Sequence, residues 1–225
     1  MSKRNREEWN YGERKSREIP VAVNNLVVCC GEKTEYNYFT KAGEIIKENY
    51  TSITGVNFDV VVDAVDPLNM AKNVEERFKK SKKRGQQYHQ IWVVFDKDDF
   101  KKDNFDNAVN RINTLNEMYR NEEVSFHALW SNECIELWFV LHFIYLTSNI
   151  LRTDYINKLT DLLEEKYQKN DKDLFDKIKL KNGSIDDAIR YAKKLANTNE
   201  GKTPSNSVPA TMVYEFFETY REYIK

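Results

Sequence analysis

Four short apolar runs, each followed by an amphipathic stretch, fall between residues 24 and 146 and leave few folds open. Leu26-Val27-Val28-Cys29-Cys30, Phe58-Asp59-Val60-Val61-Val62, Gln90-Ile91-Trp92-Val93-Val94-Phe95 and Val124-Ser125-Phe126-His127-Ala128-Leu129-Trp130 read as strands, mostly buried on both faces. After Gly31, Thr34 and Glu35 open a helix carrying Tyr38, Phe39, Ala42, Ile45 and Ile46. Met70, Val74 and Phe78 recur every fourth residue with charges between them, the mark of an amphipathic helix. Phe105, Ala108, Val109, Ile112 and Leu115 form the next helical stripe, and a fourth helix is expected across Ile135–Leu146. Alternating strands and helices require crossover connections. The fold class is therefore α/β, a mainly parallel sheet of about four strands flanked by helices.

After about residue 150 the alternation stops and a helical C-terminal extension follows. Ile156, Leu159 and Leu163 form one stripe, and Ile185, Ala188, Ile189, Ala192 and Leu195 another. Ser184 and Asp187 stand at capping-box spacing at the start of the second. A terminal helix holding Val213, Phe216, Phe217 and Tyr220 is expected from near Pro209, after a polar loop over Asn197–Ser207. The expected division is a basic segment at 1–23, an α/β core at 24–148 and a helical extension at 149–225 packed on that core.

Composition removes several function classes. The 225 residues carry 13% aromatics and a net charge of −1, which is not the make-up of a disordered chain. No run approaches the ~18 consecutive apolar residues of a membrane span. The first residues lack the apolar core of a secretory signal, so a cytoplasmic location is expected. Three cysteines, two of them adjacent, form neither a disulfide framework nor a zinc-ligand spacing. There is no Gly-x-x-x-x-Gly-Lys-Ser/Thr loop, no Gly-x-Gly-x-x-Gly and no Gly-x-Ser-x-Gly elbow. Three dispersed histidines argue against a zinc hydrolase.

What stands out is the placing of the acids. Glu32 and Glu35 follow the first strand, Asp63 and Asp66 the second, Asp96, Asp98 and Asp99 the third, and Glu133 and Glu136 the fourth. Ligands of open parallel sheets gather at that rim. Hard oxygen donors there suit Mg²⁺ or Mn²⁺. In extended chain the Asp96 and Asp98 carboxylates point to the same side. Taken singly, an Asp-x-Asp pair is usually solvated surface, and Asp66 before Pro67 is an ordinary turn former. Glu136 sits among Ile135, Leu137, Trp138 and Phe139, where a carboxylate needs a cation or a hydrogen-bond donor. Ser131 or Asn132 reads as a helix N-cap, Cys134 as a small buried hydrophobe, and His142 as a hydrogen-bonded core or supporting residue.

Basic residues cluster twice. Lys3, Arg4, Arg6, Arg14, Lys15 and Arg17 mark the N-terminus, and Arg77, Lys79, Lys80, Lys82, Lys83 and Arg84 follow one another without an intervening acid. Either cluster can rest on a phosphate backbone, although such runs are more often solvated surface. Lys79, Lys80, Lys82, Lys83 and Arg84 are the expected nucleic-acid contacts.

Three blocks carry a family resemblance: Gly31-Glu32-Lys33-Thr34-Glu35-Tyr36-Asn37-Tyr38-Phe39, Val94-Phe95-Asp96-Lys97-Asp98-Asp99-Phe100, and Ser131-Asn132 with Glu136-Leu137-Trp138 and His142-Phe143. In this order, over roughly residues 25–145, the chain resembles the RloB family of bacterial phage-defence, or abortive-infection, proteins. The resemblance implies a Toprim-like fold and Mg²⁺- or Mn²⁺-dependent phosphodiester chemistry. It implies metal ligation by Glu35, Asp96, Asp98 and Glu136, with Glu32, Glu35, Asp96 and Asp98 as the catalytic set. Cys30, Asp99, Ser131, Asn132 and His142 would support the site.

The chain departs from that family's pattern in two places. Cys30 stands where a glutamate is usual, and Glu133 where a proline is usual. A thiol does not replace a carboxylate toward Mg²⁺. Either Glu32 or Glu35 supplies the missing group, or activity is weak, or the site binds without cutting. The expected function is a metal-dependent nuclease of an antiphage system, acting on RNA (tRNA among the candidates) or DNA, with an AAA- or ABC-type ATPase partner, no membrane contact and homo-oligomerisation left open. The alternative is an inactive Toprim-like module that binds nucleic acid or that ATPase as a sensor or adaptor.

Overall fold

The computed structural model describes residues 22–224 except residue 53. The N-terminal basic cluster lies outside the described residues. Strands β1 (Val23–Cys29), β2 (Val56–Val62), β3 (Gln90–Asp96) and β4 (Ser125–Asn132) alternate with helices α1 (Thr34–Asn49), α2 (Pro67–Lys83) and α3 (Lys102–Met118). Then follow α4 (Glu136–Leu141), α5 (Arg152–Leu163), α6 (Leu174–Leu180), α7 (Ile185–Thr198), β5 (Ala210–Thr211) and α8 (Tyr214–Thr219). The sheet runs in the order β2-β1-β3-β4-β5. Pairing is parallel up to β4, and β5 adds antiparallel to it.

Period-two alternation of the strands builds two apolar layers. Leu26, Val28, Ile91, Val93 and Phe95 face α2 and α3. Val27, Cys29, Trp92, Val94 and Leu129 face α1 and the C-terminal helices. That second layer is rich in aromatics. Tyr38 packs on Phe139, Phe39 on Phe216, and Trp138 stacks on Phe217. Local signals account for the helix starts. The Asp66 side chain accepts from Asn69 N at 3.2 Å with Pro67 in the first turn of α2, and Ser184 accepts from Asp187 N at 3.1 Å.

Among the described residues the sheet has five strands where about four were expected. Pro209 starts no helix; Ala210 and Thr211 pair with Asn132 and Ser131, and α8 begins only at Tyr214. Nor are Ser131 and Asn132 helix caps. Ser131 Oγ meets Thr211 Oγ1 at 2.9 Å, and Asn132 Nδ2 donates to Pro204 O and Ser205 O, tying β4 to the segment that leads into β5. The expected loop over 197–207 is partly ordered: α7 runs to Thr198, and a 3-10 turn at Pro204–Asn206 is held by Asp106 through Ser205. The fourth helix is also shorter than expected, ending at Leu141. All three cysteines are free. Among the described residues, no helix is long and apolar enough to cross a membrane.

Candidate functional site

The chain leaves β1 toward β2 on one side and reaches β3 and β4 on the other. The carboxyl ends of β1 and β3 therefore flank the point where the strand order reverses, the place in open α/β sheets where ligands bind. A cleft of about 370 Å³ opens there. Five expected residues line it together: Glu32, Glu35, Asp96, Asp98 and Glu136, with Cys30 at its wall.

Each acid is positioned differently. Glu35 lies in the first turn of α1, buried, its carboxylate folded back over Gly31; a Cβ on Gly31 would overlap Glu35 Oε2. Asp96 is the last residue of β3 and is buried. Asp98 follows on a left-handed turn (φ 41°), not in extended chain, so the same-side argument from strand geometry does not apply. A different feature unites the two carboxylates. Arg152 Nη2 lies 3.2 Å from Asp96 Oδ2 and also pairs with Asp98 Oδ1. Glu136, the first residue of α4, is 1% exposed; its Oε1 accepts from Tyr167 OH at 3.2 Å and faces Lys169 Nζ at 3.6 Å. Glu32 is exposed on the rim.

The crowding of acids shows in their protonation. Burial, then Glu35, Glu136 and Asp98, push the Asp96 carboxyl well above the usual carboxylate range, against the pull of Arg152. Burial also raises Glu35, with Glu136 and Asp98 adding to it and Lys169 opposing. The Cys30 thiol is pushed up to about 12 by burial, followed by Glu35 and Asp96, and it donates to Val65 O at 3.3 Å. In the metal-free chain the thiol therefore keeps its proton at neutral pH.

Two buried oxygens, Asp96 Oδ1 and Glu136 Oε2, have no hydrogen-bond partner among the described residues. Buried carboxylate oxygens are rarely left so, and hard oxygen donors with free lone pairs are what Mg²⁺ or Mn²⁺ takes. Among the described residues, no group of three His, Cys, Asp or Glu side chains is assembled as a ready metal site; Asp96 and Asp98 point at Arg152 instead. The donor chemistry fits a divalent cation; in the present arrangement Asp96 and Asp98 pair with Arg152 and Glu136 faces Lys169.

Other expected residues lie elsewhere. Asp99 is exposed and outside the cleft lining. Ser131 and Asn132 serve the β4–β5 junction described above. His142 is buried beneath the aromatic layer, its Nδ1 donating to Trp138 O at 2.9 Å and its Nε2 3.3 Å from Tyr38 OH. Lys79, Lys80, Lys82, Lys83 and Arg84 end α2 at the opposite edge of the sheet, because a crossover helix runs back to the strand amino ends. The 17 residues of α2 span about 25 Å. Lys79, Lys80 and Lys82 are paired with Glu75, Glu76 and Glu122. This cluster is not brought to the acids.

Sequence reasoning missed Arg152, Tyr167 and Lys169. Arg152 carried a weak signal, since a cation at the first position of a helix opposes the macrodipole and asks for an acidic neighbour. Tyr167 and Lys169 sit between α5 and α6 in a segment without periodicity, held over the cleft by Thr34 Oγ1 donating to Lys169 O at 2.7 Å. No pattern there announces them.

Residues 25–219 match the family model described as RloB-like protein. No curated protein and no solved structure matches the chain. The match covers both halves of the fold and every acid of the cleft, and the chain belongs to the RloB-like protein family.

Proposed function

We propose that this chain is a divalent-metal-dependent nuclease that hydrolyses phosphodiester bonds of RNA, tRNA among them, or DNA. The observation that carries the reading is the set of four carboxylates, Glu35, Asp96, Asp98 and Glu136, in one switch-point cleft, two of them with a buried oxygen that lacks a partner among the described residues. Mg²⁺ or Mn²⁺, when bound, supplies charge stabilisation to the phosphate oxygens. The chain's part is to hold the ion through these four acids and to keep them aimed by burial. Tyr167 fixes Glu136, and Gly31 leaves the room that the Glu35 carboxylate occupies. The half-exposed Lys169 ammonium adds a positive charge at the mouth for an incoming phosphate. Placement in an antiphage system beside an AAA- or ABC-type ATPase rests on the resemblance of the sequence blocks described above.

The test is cleavage of labelled tRNA, single-stranded DNA and duplex DNA by the purified protein in Mg²⁺ or Mn²⁺, with EDTA as control. Cutting that EDTA stops is expected for at least one substrate. Cutting that persists in EDTA would overturn the metal requirement. A second reading rests on Cys30: with a protonated thiol at the head of the cleft, the chain would bind nucleic acid or a partner ATPase without cutting. Nucleic-acid binding with no cleavage in either ion, the ATPase included, favours that reading.

Gly31→Ala separates the site from the fold. The three atoms nearest the added Cβ all belong to the far end of the Glu35 side chain, which can rotate away, so melting is expected to shift by no more than about 2 °C. The carboxylate must leave the cleft, and Mn²⁺ affinity is expected to fall about tenfold, the worth of one charged ligand interaction. Unchanged Mn²⁺ binding, read by calorimetry, would remove Glu35 from the metal-holding set.

A further inference from the structure

Arg152 holds Asp96 and Asp98 in a way unlike a permanent arginine clamp. A single nitrogen, Nη2, serves both carboxylates. The two-nitrogen fork that makes arginine–carboxylate pairs strong is not used. Among the described residues Arg152 Nε is buried without a partner, as is Asp96 Oδ1, the second oxygen of the paired carboxylate. A structural pair selected for stability alone would leave neither, because each unpaired buried group costs more than its hydrogen bond returns. The bridging nitrogen instead stands where a small cation shared by two carboxylates would stand. The side chain is 34% exposed at the mouth of the cleft, so it can swing outward without moving α5. Lys169 Nζ stands farther from its own acid, 3.6 Å from Glu136 Oε1.

We propose that Arg152 is an exchangeable counter-ion: it neutralises Asp96 and Asp98 in the metal-free chain, yields them to the divalent cation, and then takes the substrate phosphate. The inference rests on the metal-dependent reading above and adds to it a residue with two successive partners. Competition for the same oxygens makes arginine and metal mutually exclusive there. Released beside a bound ion, the guanidinium faces the phosphodiester oxygens that its planar donors suit.

Mn²⁺ binding measured by calorimetry on wild type, Arg152→Gln and Arg152→Lys tests the first half. Binding of a labelled RNA in Ca²⁺ buffer, measured by fluorescence anisotropy, tests the second. Arg152→Gln is expected to bind Mn²⁺ about tenfold more tightly, since a charged competitor is gone, and the RNA about tenfold more weakly. Arg152→Lys, which keeps charge and fold with a single compact donor, is expected to fall between. Mn²⁺ affinity that is unchanged or weaker in both variants overturns the exchange, and unchanged RNA affinity overturns the phosphate role. A wild-type chain that binds no Mn²⁺ at all overturns the metal reading itself, and the inference with it.

Discussion

Asp96→Asn is expected to lower metal-dependent cleavage about 10³-fold, several kcal/mol of transition-state stabilisation, while leaving the protein folded. Asparagine keeps the shape of the side chain and an oxygen for Arg152 Nη2, now 3.2 Å from Asp96 Oδ2. What it loses is the charge that a divalent ion requires. Asp96 is the most constrained of the cleft acids, fixed at the end of β3 by the parallel pairing of Asp96 with Ser131. Asp98, half-buried on its turn, is expected to show a smaller loss when changed to Asn. Glu76→Gln, on the exposed face of α2 and paired with Lys80, serves as a control at the other edge of the sheet. The measurement is initial cleavage rate at saturating Mg²⁺, with circular dichroism to verify folding. An Asp96→Asn protein that cuts at wild-type rate would sink the assignment of this cleft.

The second large effect is on stability, and it comes from His142. Burial lowers its pKa from 6.5 to about 4, against the weaker pull of its backbone hydrogen bonds. The folded state thus keeps the ring neutral, while the unfolded chain takes up a proton below pH 6.5. Unfolded protein binds more protons than native between those two values, so stability rises with pH across the window. The contribution is complete above pH 6.5 and lost as pH falls toward 4, amounting to about 2 to 3 kcal/mol between pH 7 and 4.5.

The cleft acids work in the opposite sense. Asp96 and Glu35 have raised pKa values, so the native state holds their protons longer and their effect on stability worsens as pH rises. His142→Asn retains a donor for Trp138 O and removes the titration, leaving the acid terms common to both proteins. Urea titrations at pH 7 and 4.5 are expected to show wild type losing about 2 to 3 kcal/mol more than His142→Asn on acidification. Equal losses would mean that the ring is not held neutral in the folded state.

The α/β class and the location of the acids were legible in the linear pattern because both are local. A buried strand writes itself as a continuous apolar run, and a helix as a four-residue recurrence. The acid that follows each strand is then at the carboxyl rim by necessity, whatever the sheet order. That is why Glu32, Glu35, Asp96, Asp98 and Glu136 were found together. The distance of the basic run at 77–84 from those acids was not legible, for a related reason. Charge density is visible along the chain, but a crossover helix carries its last turn to the far edge, about 25 Å from its first.

What the sequence by itself determined is therefore the alternation, the two apolar layers and the acids at the strand ends. Only the tertiary structure decided the fifth strand, since two residues, Ala210 and Thr211, are too few to show a period and pair through Ser131 and Asn132 at a distance of some 80 residues in sequence. It alone decided the counter-charges as well. Arg152, from the first turn of α5, and Lys169, from a segment with no motif, reach Asp96, Asp98 and Glu136 because ion pairing depends on position in space, and the linear pattern does not name the carboxylate that a lone arginine or lysine will meet.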